Sequence, residues 1–266
     1  MKLTDNNDLL DICLSGQAWS VFLDLDGALF DIALGPEAVA VPKRLVPDLL
    51  EIKARLDGAL AVVSGRTIEA VDKILVPASF DFAGSDGEHV RLDSRRYAFG
   101  ALRKDLIEWA ALKLRPLTQI HPGCLIVSDE TGIAVQWRLA PHLEQIVLDH
   151  VLELTSELGG DFRIRRDKCF VEIVPTGTGK AKALSFMMSS PIYRGRKPIF
   201  IGDAVSDEPT SRLIRALGGF FVHVGAEGSP AEYSLRDRSV ARWLMNWAQA
   251  GKSRRESQRN HLCELQ

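Results

Sequence analysis

Val21-Phe22-Leu23-Asp24-Leu25-Asp26-Gly27 is a short apolar run that ends in two carboxylates and a glycine. The same design recurs twice. Leu60-Ala61-Val62-Val63 runs into Ser64-Gly65-Arg66, and Ile199-Phe200-Ile201 runs into Gly202-Asp203-Ala204-Val205-Ser206-Asp207. Short runs of Val, Ile, Leu and Phe with no polar alternation read as strands buried on both faces, the signature of a parallel sheet. Three such strands with polar tips at their carboxyl ends predict an α/β fold. Ligands of open α/β sheets bind along that edge.

The segments between these strands support the reading. Leu45, Leu49, Ile52 and Leu56 recur at helical spacing after Pro42,. Thr67 is a candidate N-cap for a helix through Leu75, with Glu69 in its first turn,. From about Tyr97 the polar tips vanish. Leu102, Leu106, Trp109 and Leu112 predict one helix, and Leu143, Ile146, Val147, Val151 and Leu154 a second, stopped by Gly159-Gly160. Leu125–Val127, Ile133–Trp137, Phe162–Ile164 and Cys169–Val174 read as strands in pairs. Such a mixture predicts a small α+β insertion. The α/β pattern resumes with helices at 180–188 and 207–217, closed by Gly218-Gly219, a strand at 220–224, and a last helix marked by Val240, Trp243, Leu244 and Trp247,. A further helix is expected at 8–14. The expected organisation is a discontinuous core at 1–95 and 175–250, an insertion at 96–174 and a polar tail at 251–266, with hinges near Arg95 and Pro175.

Composition narrows the class. The 266 residues are 46% hydrophobic and carry a net charge of −2, so no basic surplus suggests nucleic acid as a partner. No apolar run approaches bilayer length. Met1-Lys2-Leu3-Thr4-Asp5-Asn6-Asn7-Asp8 does not read as a secretory signal,. The four cysteines, at 13, 124, 169 and 263, form no Cys-x-x-Cys pair. Free thiols in a reducing cytoplasm are the expectation.

The polar tips suit phosphoryl transfer, which needs an in-line nucleophile and positive charge around the transferred group. Asp24 is the candidate nucleophile, since a carboxylate can form an aspartyl-phosphate. Asp26, two residues on and past the turn at Gly27, is the candidate general acid and base. Taken alone, Asp-x-Asp-Gly is more often a surface turn, because Asp-Gly is common in turns. Ser64 is a candidate phosphate contact, and Arg66 a contact for a second anionic or hydroxyl group. Lys180 follows Thr176-Gly177-Thr178-Gly179 at a helix start. The macrodipole disfavours a cation there, so an anion nearby would account for it. Asp203 and Asp207 lie four apart after a buried strand. One of them can bind a metal while the other supports it or Lys180. An all-oxygen donor set that shares a phosphate suits Mg2+.

Taken together, Asp-x-Asp-Gly, Ser, Lys and Gly-Asp-x-x-x-Asp resemble the haloacid dehalogenase superfamily of aspartate-nucleophile phosphatases. Phe22–Gly27, Val62–Arg66, Val171-Glu172-Ile173-Val174-Pro175 and Pro198–Asp203 further resemble trehalose-6-phosphate phosphatases in order and spacing, over about Trp19 to Trp247. Trp137-Arg138-Leu139-Ala140-Pro141 is similar to a segment of that family's cap. The resemblance implies a Rossmann-like parallel-sheet core with an α+β cap. It implies Asp24 and Asp26 as nucleophile and acid/base, Ser64 and Lys180 on phosphate, and Mg2+ on Asp24, the Asp26 carbonyl and Asp203, with Asp207 supporting. The substrate-binding set it implies is Arg66, Asp86, His89, Asp129, Gln136, Arg138 and Glu172.

The chain departs from the family pattern in several places. Ala28 stands where the family usually has Thr, and Ala204 where it has a second Asp. The family's His-Gly-x-Glu is Asp86-Gly87-Glu88-His89 here. Its Glu and Lys lie near Val127 and Asp129, its His at Gln136, and often a Lys at Val174. Buried hydrogen bonds to a sugar discriminate strongly, so these changes bear on the substrate rather than the reaction. The expected function is a Mg2+-dependent phosphatase for trehalose 6-phosphate. The alternatives are another phosphorylated sugar, a sugar-phosphate mutase, or a non-catalytic homologue that binds a sugar phosphate. His89 and His142 are expected within reach of the cleft, and His150 and His223 are expected to be structural.

Overall fold

The computed structural model describes residues 18–26, 28–29, 42–99, 103–128, 132–167, 169–202, 208–225, 231–235, 243 and 246–247. The helix expected at 8–14, Asp129, Asp203, Asp207 and the tail lie outside the described residues. The chain divides into two compact units, Met1–Tyr97 with Lys180–Gln266, and Ala98–Gly179.

The first unit is built on an eight-stranded sheet. In chain order its strands and helices are β1 (Trp19–Asp24), α1 (Leu45–Arg55), β2 (Leu60–Val63), α2 (Ile68–Leu75), β3 (Asp81–Gly84), β4 (His89–Leu92) and β5 (Arg95–Ala98). The second unit then supplies α3 (Lys104–Ile120), β6 (Leu125–Ser128), β7 (Ile133–Gln136), α4 (Glu144–Leu158), β8 (Phe162–Asp167) and β9 (Phe170–Pro175). The chain returns to the first unit with α5 (Lys180–Ser189), β10 (Lys197–Gly202), α6 (Glu208–Ala216), β11 (Phe220–Val224) and β12 (Tyr233–Leu235).

The large sheet runs β12-β11-β10-β1-β2-β3-β4-β5. Its first six strands pair in parallel, and β4 turns back antiparallel on β3. Every residue of β1, β2 and β11 is buried, as unalternated apolar runs require. The strand order reverses at β1: the chain goes one way to β2 and β3, and returns on the other side as β10, β11 and β12. That reversal opens a crevice at the carboxyl ends of β1 and β10. Thr67 caps α2, its hydroxyl accepting from the Ala70 amide at 3.3 Å. Leu45, Val46, Leu49 and Ile52 form the buried stripe of α1.

The second unit has an antiparallel sheet, β6-β7-β9-β8. Ile133, Val135, Val171 and Ile173 point to one face and pack with Ile107, Ala110, Leu114 and Leu117 of α3 and Val147, Val151 and Leu154 of α4. The alternate residues, Ala134, Gln136, Phe170 and Glu172, share the opposite face.

Both helices expected in this unit form, with buried faces that differ from the residues that mark them in the sequence. The buried stripe of α3 is not Leu106, Trp109 and Leu112. Leu112 is 59% exposed, and Leu106 and Trp109 only flank the core. The helix is turned by about one residue so that Ile107, Ala110, Leu114 and Leu117 face the sheet. On α4, Ile146 is turned outward while Val147 is buried. Strands β3, β4, β5 and β12 are additional to those expected. No helix among the described residues is long and apolar enough to cross a membrane. Cys124 and Cys169 are free thiols, and burial raises the pKa of the Cys124 thiol.

Candidate active site

Four segments meet at the carboxyl edge of the large sheet. Asp24 ends β1 and pairs in register with Val63, and Leu23 pairs with Ile201. Asp24 thus lies between Ser64, just past β2, and Gly202, the last residue of β10. An ideal Cβ on Gly202 would come within 3.1 Å of the Asp24 Cβ and 2.7 Å of a Phe200 ring carbon. Glycine is what the packing there permits.

Asp24 is almost fully buried. Its Oδ1 accepts from the Leu25 amide at 2.9 Å, and its Oδ2 from Lys180 Nζ at 2.9 Å. Lys180 opens α5 and lies 156 positions further along the chain. The sequence anomaly of a cation at a helix start is answered: two carboxylates meet it, Asp24 and, at 3.8 Å, Asp86,.

Asp26 is held by the β2 loop. Arg66 Nε donates to its two oxygens at 3.0 and 2.9 Å, and Nη2 donates at 2.7 Å. The Ser64 hydroxyl donates to Oδ2 at 3.1 Å and accepts from the Arg66 amide at 3.1 Å. Ser64 is fully buried. The hydrogen bond to Asp26 raises the Arg66 pKa. Partial burial opposes the shift, and the charge of Asp26 adds to it.

The turn after β3 closes the other side. Ser85 and Asp86 take left-handed backbones, with φ of 49° and 52°. Such a conformation costs a non-glycine residue about 1–2 kcal/mol. Here it is held by the Ser85 amide on the Arg66 carbonyl at 3.0 Å and the Asp86 amide on the Ser64 carbonyl at 3.1 Å. Gly84 cannot carry a side chain, because a Cβ would meet Phe82 at 2.4 Å and the Arg66 carbonyl at 2.9 Å. Ser85 Oγ is buried with no hydrogen-bond partner among the described residues. Motif reading passed over Ser85, because a lone serine after a weak strand carries no spacing signal.

The structure therefore gathers Asp24, Asp26, Ser64, Arg66, Asp86 and Lys180. His89 begins β4 directly opposite Gly84. Ala28 is buried in the core. In the second unit, Gln136 and Glu172 lie on the sheet face opposite the core, with Glu172 bonded to Arg165 Nε at 2.5 Å. Arg138 follows β7 and is exposed, as is His142. His150 bonds its own helix through the Ile146 carbonyl at 2.8 Å. His223 is buried in β11.

No group of three or more His, Cys, Asp or Glu poised around a metal occurs among the described residues. The donors that are described suit a hard cation. Asp24 would offer carboxylate oxygen to such an ion, and Gly202 leaves that carboxylate uncrowded on the β10 side,.

The trehalose-phosphatase family profile matches residues 22–239. A probable trehalose-phosphate phosphatase of Sinorhizobium fredii (strain NBRC 101917 / NGR234) is 35% identical over 237 residues, covering 86% of this chain and 89% of the relative. The trehalose-6-phosphate phosphatase of Escherichia coli (strain K12) is 30% identical over 244 residues, 91% of each chain. Among solved structures, the C-terminal domain of C. albicans trehalose-6-phosphate phosphatase superposes with a TM-score of 0.78 at 17% identity, covering 92% of this chain and 97% of that one. The fold is of the haloacid dehalogenase type. The chain belongs to the trehalose-phosphatase family of phosphoric monoester hydrolases.

Proposed function

We propose that the protein hydrolyses trehalose 6-phosphate to trehalose and inorganic phosphate through an aspartyl-phosphate, in the cytoplasm and with Mg2+ bound at Asp24. The observation that carries this is the contact of Lys180 with Asp24 at the mouth of β1, beside Ser64 and Asp26. A buried carboxylate that accepts a lysine on one oxygen is oriented and anionic, ready to attack phosphorus. Ser64 and Lys180 bind the phosphoryl oxygens.

In the first half-reaction a carboxylate oxygen of Asp24 bonds to phosphorus, the bond to the sugar oxygen breaks, and Asp26 gives that oxygen a proton. In the second, Asp26 takes a proton from water, whose oxygen attacks phosphorus. The bond between phosphorus and the Asp24 oxygen breaks, which restores the Asp24 carboxylate and frees inorganic phosphate. Asp24, the Asp26 carbonyl and Asp203, with Asp207 in support, would hold Mg2+. The cation would offset the charge on the phosphoryl oxygens. Arg66 and His89, together with Asp129, Gln136, Arg138 and Glu172, are the proposed contacts that choose the sugar.

The test is Mg2+-dependent phosphate release from a panel of sugar phosphates that includes trehalose 6-phosphate. Preference for trehalose 6-phosphate, abolished by Asp24→Asn, is the expected result. Turnover of a different sugar phosphate would keep the mechanism and reassign the substrate. Binding without turnover would make the protein a sugar-phosphate sensor.

A further inference from the structure

Asp86 stands out because its chemistry opposes the job its position suggests. A carboxylate repels a phosphorylated ligand, yet this one is built into the rim of the site. Three independent features fix where it points. Its left-handed backbone, φ 52° and ψ 33°, is locked by its amide on the Ser64 carbonyl and by the preceding amide on the Arg66 carbonyl. Gly65 has no side chain where a Cβ would sit 3.0 Å from Asp86 Oδ2, so the carboxylate can approach the β2 loop closely. Its other oxygen, Oδ1, is 3.8 Å from Lys180 Nζ. Lys180 is 11% exposed and Asp86 26%, so water screens this pair only in part,.

We propose that Asp86 is a positioning residue for Lys180 rather than a sugar contact. The proposal rests on the phosphatase reading above and deepens it. In the resting site Lys180 is shared between Asp24 and Asp86. Once Asp24 oxygen is bonded to phosphorus, that carboxylate no longer carries its charge, and Lys180 loses its nearer anchor. Asp86 takes no part in the chemistry and keeps its charge throughout. It therefore holds the ammonium over the phosphoryl group while the intermediate forms and breaks. The lysine at a helix start, disfavoured by the macrodipole, thus keeps a counter-charge from Asp86 through both half-reactions.

The test is a double-mutant cycle on Asp86→Asn and Lys180→Met, read as kcat and KM for the best substrate of the panel. Asp86→Asn should lower kcat by about tenfold or more with little change in KM, the pattern of lost transition-state stabilisation. In the Lys180→Met background it should cost nothing further. Asp86→Glu, which keeps the charge, should recover part of the loss. A raised KM at unchanged kcat would make Asp86 a sugar contact and overturn the proposal. So would full additivity in the cycle. If the wild type hydrolyses no member of the panel, the phosphatase reading fails by itself. The pair is then read from melting temperatures of the same four proteins, where additivity would still overturn the contact.

Discussion

Arg66 lies across both carboxylate oxygens of Asp26, donating from Nε and Nη2 at 2.7 to 3.0 Å. Residues 40 apart are thereby joined by a charge-assisted fork, stronger and more directional than a single bond. For Asp26 to protonate a leaving oxygen, at least one of these bonds must open. Arg66 is thus both the residue that orients Asp26 and one that must yield.

The consequence is measurable. Arg66→Ala should leave Asp26 unoriented and lower kcat by about 10- to 100-fold, a share of the 10²–10⁴ that a positioned acid/base contributes. Arg66→Lys should recover little, because an ammonium cannot reproduce the fork. Steady-state kinetics on the preferred sugar phosphate decide this. Equal activities of Arg66→Lys and wild type would mean that only charge matters at this position.

Ser64 is tied into the same group, donating to Asp26 and accepting from the Arg66 amide. Ser64→Ala removes one buried hydroxyl and leaves the Arg66 amide without that acceptor. A stability loss of about 1–3 kcal/mol is expected from urea unfolding. Activity should fall further than stability explains, since Ser64 is also a proposed phosphate contact. An unchanged kcat/KM would restrict Ser64 to a structural role.

Much of this was legible in the sequence, for identifiable reasons. β1, β2 and β11 are built around apolar runs, and their carboxyl ends fall within a residue of those expected. Thr67 announced the start of α2. Strand β3, Asp81-Phe82-Ala83-Gly84, was not legible, because an acid opens it and a glycine closes it. Its burial comes from β2 and β4 on either side rather than from its own pattern. Strand β5 is mostly exposed and carries Arg95 and Arg96. The face of α3 was misread because leucines occur on both sides of the helix, and only the sheet beneath decides which are covered. In the site, Asp24, Asp26, Ser64 and Lys180 could be nominated from motif and strand position. The pairing of Arg66 with Asp26 and of Asp86 with Lys180 could not, since local spacing carries no information about partners 40 or 94 positions away.

Gly202 couples the packing to the chemistry. In Gly202→Ala the new methyl group would press on the Phe200 ring and on the Asp24 Cβ. Overpacking of this kind costs about 1–3 kcal/mol. Because the pressure falls on Asp24, kcat should drop by more than tenfold even under conditions where the variant is fully folded. Thermal unfolding and kcat, measured together, separate the two effects. A destabilised variant with wild-type kcat would show that Asp24 does not move.

Behind the site, Tyr193 is fully buried and donates its hydroxyl to Asp81 Oδ2 at 2.9 Å, while Asp81 Oδ1 accepts from the Asp93 amide at 2.9 Å. Burial raises the Tyr193 pKa well above its ordinary value of 10.0, and the charge of Asp81 and the hydrogen bond to it add to the shift. A group whose pKa is raised on folding contributes stability that is fully present below its unfolded pKa. That contribution is lost as pH climbs from there through the folded value. Tyr193→Phe leaves Asp81 with one donor fewer and should cost about 1–3 kcal/mol at neutral pH. The gap between wild type and variant should stay constant from pH 7 to about 9.5 and close above pH 10. Chemical unfolding across that range is the measurement. A gap that persists undiminished well above pH 10 would mean that the Tyr193 hydroxyl stabilises the fold by packing alone and not as a proton donor to Asp81.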